Sequence, residues 1–136
     1  MSQNTFNNWL SLAEYDLHTA EAMFQTKRYL YVAFMCQQAI EKLLKAGYVK
    51  AHASTPPYTH NLLRLLKEAA WINEIQNTDR MRVLEELNSF YIESRYTEDI
   101  DDLSKILTEP KAEQVLQSTK ELYQWIQRKI SSETRS

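Results

Sequence analysis

The side chains best suited to chemistry in this sequence include an arginine followed directly by a tyrosine, Arg95 and Tyr96. The pair lies where a long predicted helix ends. There a guanidinium fork can bind a phosphate, and the neighbouring ring can stack on a base. The alternative is that Arg95 pairs with Glu98, Asp99 or Asp102 and only fixes the segment that follows. Residue types alone favour the ion pair.

Two of the three histidines have neighbours that suggest a role. His60 precedes a predicted helix, with Arg64 one turn further on. It can satisfy the free N–H groups of that helix or pack on the preceding proline loop, and it can also help to hold a phosphate. His18 has Glu14 and Glu21 within helical reach, so a surface hydrogen bond or ion pair is its ordinary role. None of the histidines follows a glutamate by three residues, which argues against a carboxylate di-metal site, and no metal is expected.

The remaining reactive and charged residues belong to the most apolar predicted helix. Cys36 lies on its core face, where a cysteine acts as a small hydrophobic residue. A single cysteine excludes an internal disulfide and a structural zinc site. The opposite face is interpreted as solvated. Its polar residues are Gln37, Gln38, Glu41, Lys42 and Lys45.

Composition limits the kinds of site that this chain can build. Gly47 is the only glycine, so phosphate-binding glycine loops, dinucleotide fingerprints and hairpin-rich sheets are excluded, and no cofactor is expected. Sixteen basic and 18 acidic residues give a net charge of −2, which provides no overall attraction for nucleic acid or an anionic membrane. The chain has no apolar run long enough to span a membrane and no secretory signal pattern. We therefore expect a cytoplasmic protein.

The elements that must position these residues are helices. Apolar residues recur at steps of three and four along five segments, and no strand-like alternation interrupts them. The predicted helices cover residues 5–25, 29–50, 61–70, 78–94 and a last segment from Pro110. Residues 52–60 are predicted as a loop and 71–77 as a turn, while 95–109 are irregular with one helical turn near 100–106. The pattern predicts an all-α, up-and-down bundle of four to five helices. It forms one domain over residues 1–136, with a core of about 5–130.

Two features of the second predicted helix indicate close contacts. Gly47 lies on its core face, where a glycine lowers helix propensity, so we expect a close helix crossing there. Tyr31 and Phe34 form a second apolar surface, away from the main core stripe. Exposed apolar patches on small proteins are commonly contact surfaces, and a two-fold homodimer is the commonest way to cover one.

Three short motifs, in their order and spacing, resemble those of HEPN domains, the higher-eukaryote and prokaryote nucleotide-binding domains. They are CQQAIEKLLKAGYV from Cys36, THNLLRLLKEA from Thr59 and SRYTED from Ser94. The resemblance runs from about residue 5 to 130. It implies a small all-α bundle that dimerises and is frequently paired with a minimal nucleotidyltransferase, either as a substrate-binding component or as the toxin of a toxin–antitoxin system. Many HEPN relatives are metal-independent ribonucleases whose motif is an arginine, four to six other residues, and a histidine.

This sequence departs from the ribonuclease motif. Arg95 matches the arginine, but Ile100, Asp101 and Asp102 occupy the positions of the histidine. Strand cleavage by a 2′-hydroxyl needs a base and an acid as well as a cation on the phosphate, and Arg95 supplies only the cation. Whether His60 or His18 approaches it in space is left open.

The sequence thus favours a non-catalytic HEPN-like module that binds a nucleotide or nucleic acid, is dimeric and has a nucleotidyltransferase partner. Arg95 would bind phosphate, Tyr96 would stack on a base, and His60, Lys42 and Lys45 would support them. One alternative is an endoribonuclease toxin with a degenerate motif. Another is a scaffolding dimer without a ligand.

Overall fold

The structure of the protein is a computed structural model, which describes residues 3–69, 71–93 and 97–132. In these residues the chain forms seven α-helices and no strand, which confirms the predicted all-α bundle. The helices are α1 (Gln3–Gln25), α2 (Tyr29–His52), α3 (Leu62–Glu68), α4 (Ile72–Ile75), α5 (Asp79–Glu93), α6 (Thr97–Ile106) and α7 (Glu109–Ser132).

The long helix α2 is the centre of the bundle, because it packs against α1, α3, α5, α6 and α7. Its fully buried side chains include Ile40, Leu43 and Leu44. The helix is capped by Ala53, which adopts a left-handed conformation with a φ of 51° and donates its N–H to Val49 O at 2.8 Å. Such a C-terminal cap directs the chain sharply away from the helix axis and starts the loop that carries His60.

The helix that follows this loop begins at a side-chain cap. Asn61 Oδ1 accepts hydrogen bonds from the backbone N–H groups of Leu63 at 3.0 Å and Arg64 at 3.3 Å. Asparagine is among the best residues for satisfying these first free donors of a helix. The cap therefore fixes the start of α3 just after His60.

Two short helices extend the predicted set. The predicted turn over residues 71–77 contains the short helix α4. Trp71, just before this helix, and Ile75, at its end, are both buried. The acidic segment that was predicted to hold one helical turn forms the ten-residue helix α6, which Leu103 and neighbouring Leu107 anchor to the core. In both places one or two buried apolar residues are enough to dock a helix. So few buried residues do not produce a pattern of apolar residues from which the helix could be predicted.

Gly47 lies at the predicted close crossing. A β-carbon built at this position would lie 3.0 Å from Trp71 Cη2 and 3.4 Å from Ile130 Cγ1 of α7. A real β-carbon at 3.0 Å would force its neighbour to move, so the missing side chain lets α7 and Trp71 approach α2. The prediction of a core-facing glycine is confirmed.

The second apolar surface of α2 is smaller than the sequence suggests. Tyr31 is 51% exposed, but Phe34 is only partly exposed because its ring packs against the core. The two rings meet edge to face with centroids 5.7 Å apart. Tyr31 is thus the more accessible aromatic side chain of this pair.

Candidate functional site

The most unusual feature of the bundle is a stripe of buried polar residues on α2. Gln37 is 1% exposed, Glu41 is 2% exposed and Lys45 is 6% exposed, at successive steps of four residues. The interpretation of this face as solvated was wrong for these three side chains. The loop that carries His60 lies against Gln37 and Glu41, helix α5 packs beside this loop, and the ring of Trp9 on α1 lies next to Lys45.

Glu41 is the centre of this arrangement. Its Oε1 accepts hydrogen bonds from His60 Nδ1 at 2.8 Å and Gln37 Nε2 at 3.3 Å, and its Oε2 accepts one from Lys45 Nζ at 3.2 Å. A buried carboxylate is tolerated only when such donors replace water. We call Gln37, Glu41, Lys45 and His60 the Glu41 cluster.

The cluster also fastens the loop to two helices. Gln37 Nε2 donates to the backbone carbonyl of His60 at 3.2 Å. The imidazole of His60 lies against the ring of Tyr91 on α5, with centroids 4.6 Å apart. Next to it, Asn88 of α5 accepts a hydrogen bond from Leu62 N at 2.8 Å. His60 is consequently held from both sides, by a carboxylate on α2 and by a ring on α5.

The orientation of His60 leaves one ring nitrogen for other partners. A carboxylate only accepts hydrogen bonds, so Nδ1 carries the proton that is donated to Glu41. The His60 side chain is 38% exposed, whereas that of Glu41 is 3% exposed. The imidazole therefore spans the boundary between the buried cluster and the surface, and Nε2 is the nitrogen that can meet a ligand.

The structure brings some of the predicted site residues together and separates others. His60 and Lys45 belong to the Glu41 cluster, where Lys45 Nζ also lies 5.4 Å from the ring centroid of Trp9. Lys42 instead forms an ion pair of 3.2 Å with Asp16 of α1. Arg95 and Tyr96 lie outside the described residues.

The other reactive residues do not form a site. His18 is exposed on α1. Burial raises the pKa of the Cys36 thiol to about 12, so this cysteine is not a nucleophile near neutral pH. In the described part of the chain no three histidine, cysteine or carboxylate side chains are grouped so that they could hold a metal ion.

Sequence reasoning missed the roles of Gln37, Glu41 and Tyr91. One signal for the first two was present: glutamine, glutamate and lysine at positions 37, 41 and 45 follow a single helical stripe.

The charge of the segment that follows Glu41 is a second feature of the sequence around this site. Residues 42–67 contain no aspartate or glutamate and five cations, which are Lys42, Lys45, Lys50, Arg64 and Lys67. The segment is basic in sequence, and the structure pairs three of its cations with carboxylates from outside it: Lys42 with Asp16, Lys45 with Glu41 and Arg64 with Glu68.

Comparison with known proteins assigns the family. The sequence matches the HEPN domain family over residues 6–130. The chain belongs to the HEPN domain family. A HEPN domain is a nucleotide- or RNA-related module.

A solved structure has the same fold as this HEPN domain. It is the crystal structure of TT1696 from Thermus thermophilus, with a TM-score of 0.74 and 23% sequence identity over 93% of this chain and 99% of TT1696. At this identity the likeness shows the fold alone. No curated protein matches the sequence. Among the described helices of this HEPN domain, none has the length and apolar character needed to cross a membrane.

Proposed function

We propose that this HEPN domain binds a nucleotide or RNA beside the Glu41 cluster. The observation that carries the proposal is the His60 imidazole, which a buried carboxylate orients and Tyr91 supports at the protein surface. Arg95 follows Tyr91 by four residues in the sequence. In this proposal Arg95 binds the phosphate, Tyr96 stacks on a base, and His60 accepts a hydrogen bond from the ligand at Nε2, because its proton is on Nδ1.

The charges of the site suit an anionic ligand. The negative charge of Glu41 is balanced within the cluster by Lys45, so the buried carboxylate does not oppose an approaching phosphate. In the segment of residues 42–67, Lys42, Lys45 and Arg64 are paired with Asp16, Glu41 and Glu68, so Lys50 and Lys67 supply most of its long-range attraction and Lys42 adds a weaker one. Binding should therefore weaken as the salt concentration rises.

Titration of a fluorescein-labelled single-stranded RNA, read by anisotropy, tests this proposal. We expect saturable binding by the wild type, and its loss in Arg95→Ala and His60→Ala. Lys67→Ala is a matched control that removes one exposed cation. It should lower the RNA affinity only slightly, by the electrostatic contribution of a single charge. A thermal shift panel of nucleotides gives a second readout, because a ligand that binds only the native state raises its stability. Stability unchanged by every nucleotide, together with no RNA binding, would support the scaffolding dimer instead.

A ribonuclease is the second candidate function, and one observation favours it. The carboxylate–imidazole contact between Glu41 and His60 is the arrangement that orients a histidine for proton transfer. His60 would then supply the imidazole that the motif after Arg95 lacks. Cleavage of RNA by the purified wild-type protein in the presence of a metal chelator, abolished in His60→Ala, would establish this activity. RNA binding without cleavage would support the non-catalytic binding module instead.

We further propose that the protein is a homodimer in which Arg95 lines a cleft between the two copies. The half-exposed ring of Tyr31, in contact with Phe34, supports a contact surface at the start of α2. Phe34→Glu should weaken the dimer, and Arg95→Ala should spare it. Light scattering checks both, and a mass near the 16.1 kDa of one chain at micromolar concentration would contradict the dimer.

The proposed partner is a minimal nucleotidyltransferase, with which the domain forms a toxin–antitoxin pair in the cytoplasm. The family membership supports this pairing. Co-expression with the nucleotidyltransferase of a neighbouring reading frame tests it. A stable complex, and growth inhibition by either protein that the other relieves, are the expected results.

A further inference from the structure

Tyr58 is the most exposed large aromatic side chain among the described residues. It is 95% exposed, compared with 71% for Tyr15 on α1. Leaving a whole tyrosine ring in water brings the fold no packing energy. The ring nevertheless lies beside the proposed site, because its centroid is 5.9 Å from that of His60 in an edge-to-face arrangement.

The backbone that carries Tyr58 is fixed on both sides. Pro56 and Pro57 precede it, and each proline ring locks its own φ. Pro56 is buried. Two residues later, His60 is held by Glu41 and by the donor of Gln37. An aromatic ring on such a fixed segment loses little conformational entropy when a ligand packs on it.

We propose that Tyr58 is a platform on which a base of single-stranded RNA stacks. The inference rests on the proposed function and extends it, since it adds a base contact at Tyr58, next to His60. Stacking on an exposed ring is tolerant of sequence, because every base presents a flat face. The rings of Tyr58, His60 and Tyr91 then form a continuous aromatic series from the surface to α5.

The surroundings of Tyr58 favour a nucleic acid over a protein partner. Pro56 is buried, and Thr55, Thr59 and His60 are polar, so among the neighbours of Tyr58 in the sequence only Pro57 adds partly exposed apolar surface. Of the five cations in residues 42–67, Lys42, Lys45 and Arg64 are paired with carboxylates, so Lys50 and Lys67 are the charges of this segment that attract a phosphate. A single exposed ring in a polar setting suits a ligand that combines flat bases with phosphates.

Anisotropy titration of a labelled hexa-adenylate RNA, with AMP as a competitor, tests the platform. Tyr58→Ala should weaken binding of the hexamer by about fivefold or more, the usual cost of removing one stacking ring. Tyr58→Trp and Tyr58→Phe keep a flat ring and should retain wild-type affinity. Tyr15→Ala removes another exposed tyrosine and serves as the matched control, with affinity unchanged.

The outcomes separate the platform from the proposed function. Wild-type affinity in Tyr58→Ala would overturn the platform and leave the proposed function intact. Failure of the wild-type protein to bind either ligand would overturn both. A change of oligomeric state in Tyr58→Ala, seen by light scattering, would show that the ring contacts a second copy, and this too would overturn the platform. Circular dichroism should show an unchanged fold, because the ring is exposed.

Discussion

Helix α2 buries two faces that are chemically opposite. Toward α7 it presents Gly47, where Ile130 and Trp71 close directly over the backbone. Toward the loop and α5 it presents Glu41, which is 2% exposed and whose carboxylate accepts three hydrogen bonds. The first face is stabilised by close packing and the second by paired charges. The same helix thus serves as the core of the fold and as the base of the proposed site.

The two faces differ in what they contribute to stability. Burying apolar surface stabilises a fold directly, at roughly 25 cal/mol per Å². A buried ion pair brings little net stability, because the cost of removing both charges from water offsets their attraction. Stability alone therefore does not explain why charged groups are buried on this face. This contrast is the physical reason to place the function at the Glu41 cluster.

The largest expected effect comes from removing the centre of the polar face. Glu41→Ala leaves Lys45 buried without its counter-charge and removes an acceptor from Gln37 and His60. Loss of one partner of a buried pair costs about 3–5 kcal/mol in the free energy of unfolding. Urea denaturation measures it. The double variant Glu41→Leu, Lys45→Met removes both charges and should recover much of the loss. An equally unstable double variant would show that charge pairing is not the reason.

The apolar face should respond to added volume. Gly47→Leu must displace Trp71 and Ile130, and such overpacking costs about 1–3 kcal/mol. Gly47→Ala brings only the β-carbon, so it should cost less than leucine. Thermal unfolding followed by circular dichroism compares the two. A melting temperature that is unchanged in Gly47→Leu would contradict the close crossing.

Alkaline pH should weaken the apolar face through Cys36. Burial raises the pKa of its thiol from 9.0 to about 12, so the folded chain keeps a proton that the unfolded chain releases. The contribution is fully present below about pH 9 and is lost as the pH rises toward 12. We expect the free energy of unfolding to fall over this range, and to fall less steeply in Cys36→Ala. Identical slopes in the two proteins would assign the alkaline loss to other groups.

The smallest effect is expected at the ion pair between Lys42 and Asp16. Their side chains are 20% and 15% exposed, more than those of the buried pair between Lys45 and Glu41. Pairs near the surface contribute about 0–1 kcal/mol, so Lys42→Ala should change the free energy of unfolding by no more than this. The comparison with Glu41→Ala in the same urea series is the measurement. A loss as large as that of Glu41→Ala would remove the distinction between the two ion pairs.

The apolar face could be predicted from the sequence, and the polar face could not. The signals for it are local in the sequence: the helical spacing of the apolar residues, the single glycine and the loop with two prolines. Together they predict the all-α bundle and the crossing at Gly47. Glu41 and Lys45 have the spacing of an ordinary solvated stripe, and they are buried by parts of the chain that are distant in sequence: His60, 19 residues after Glu41, and Trp9 of α1. The place of His60 before a helix predicts a candidate binding residue, and that role stays a prediction. Its carboxylate partner depends on tertiary packing, which helical periodicity does not encode.

Nuclear magnetic resonance of the histidine rings tests the central claim most directly. The three imidazoles report on different places: His60 in the Glu41 cluster, His52 bonded to the carbonyl of Glu68, and His18 exposed on α1. On titration with single-stranded RNA, the signals of His60 should shift and saturate, while those of His18 stay in place. RNA that binds the protein while the His60 signals remain unmoved would contradict the assignment of this cluster as the binding site.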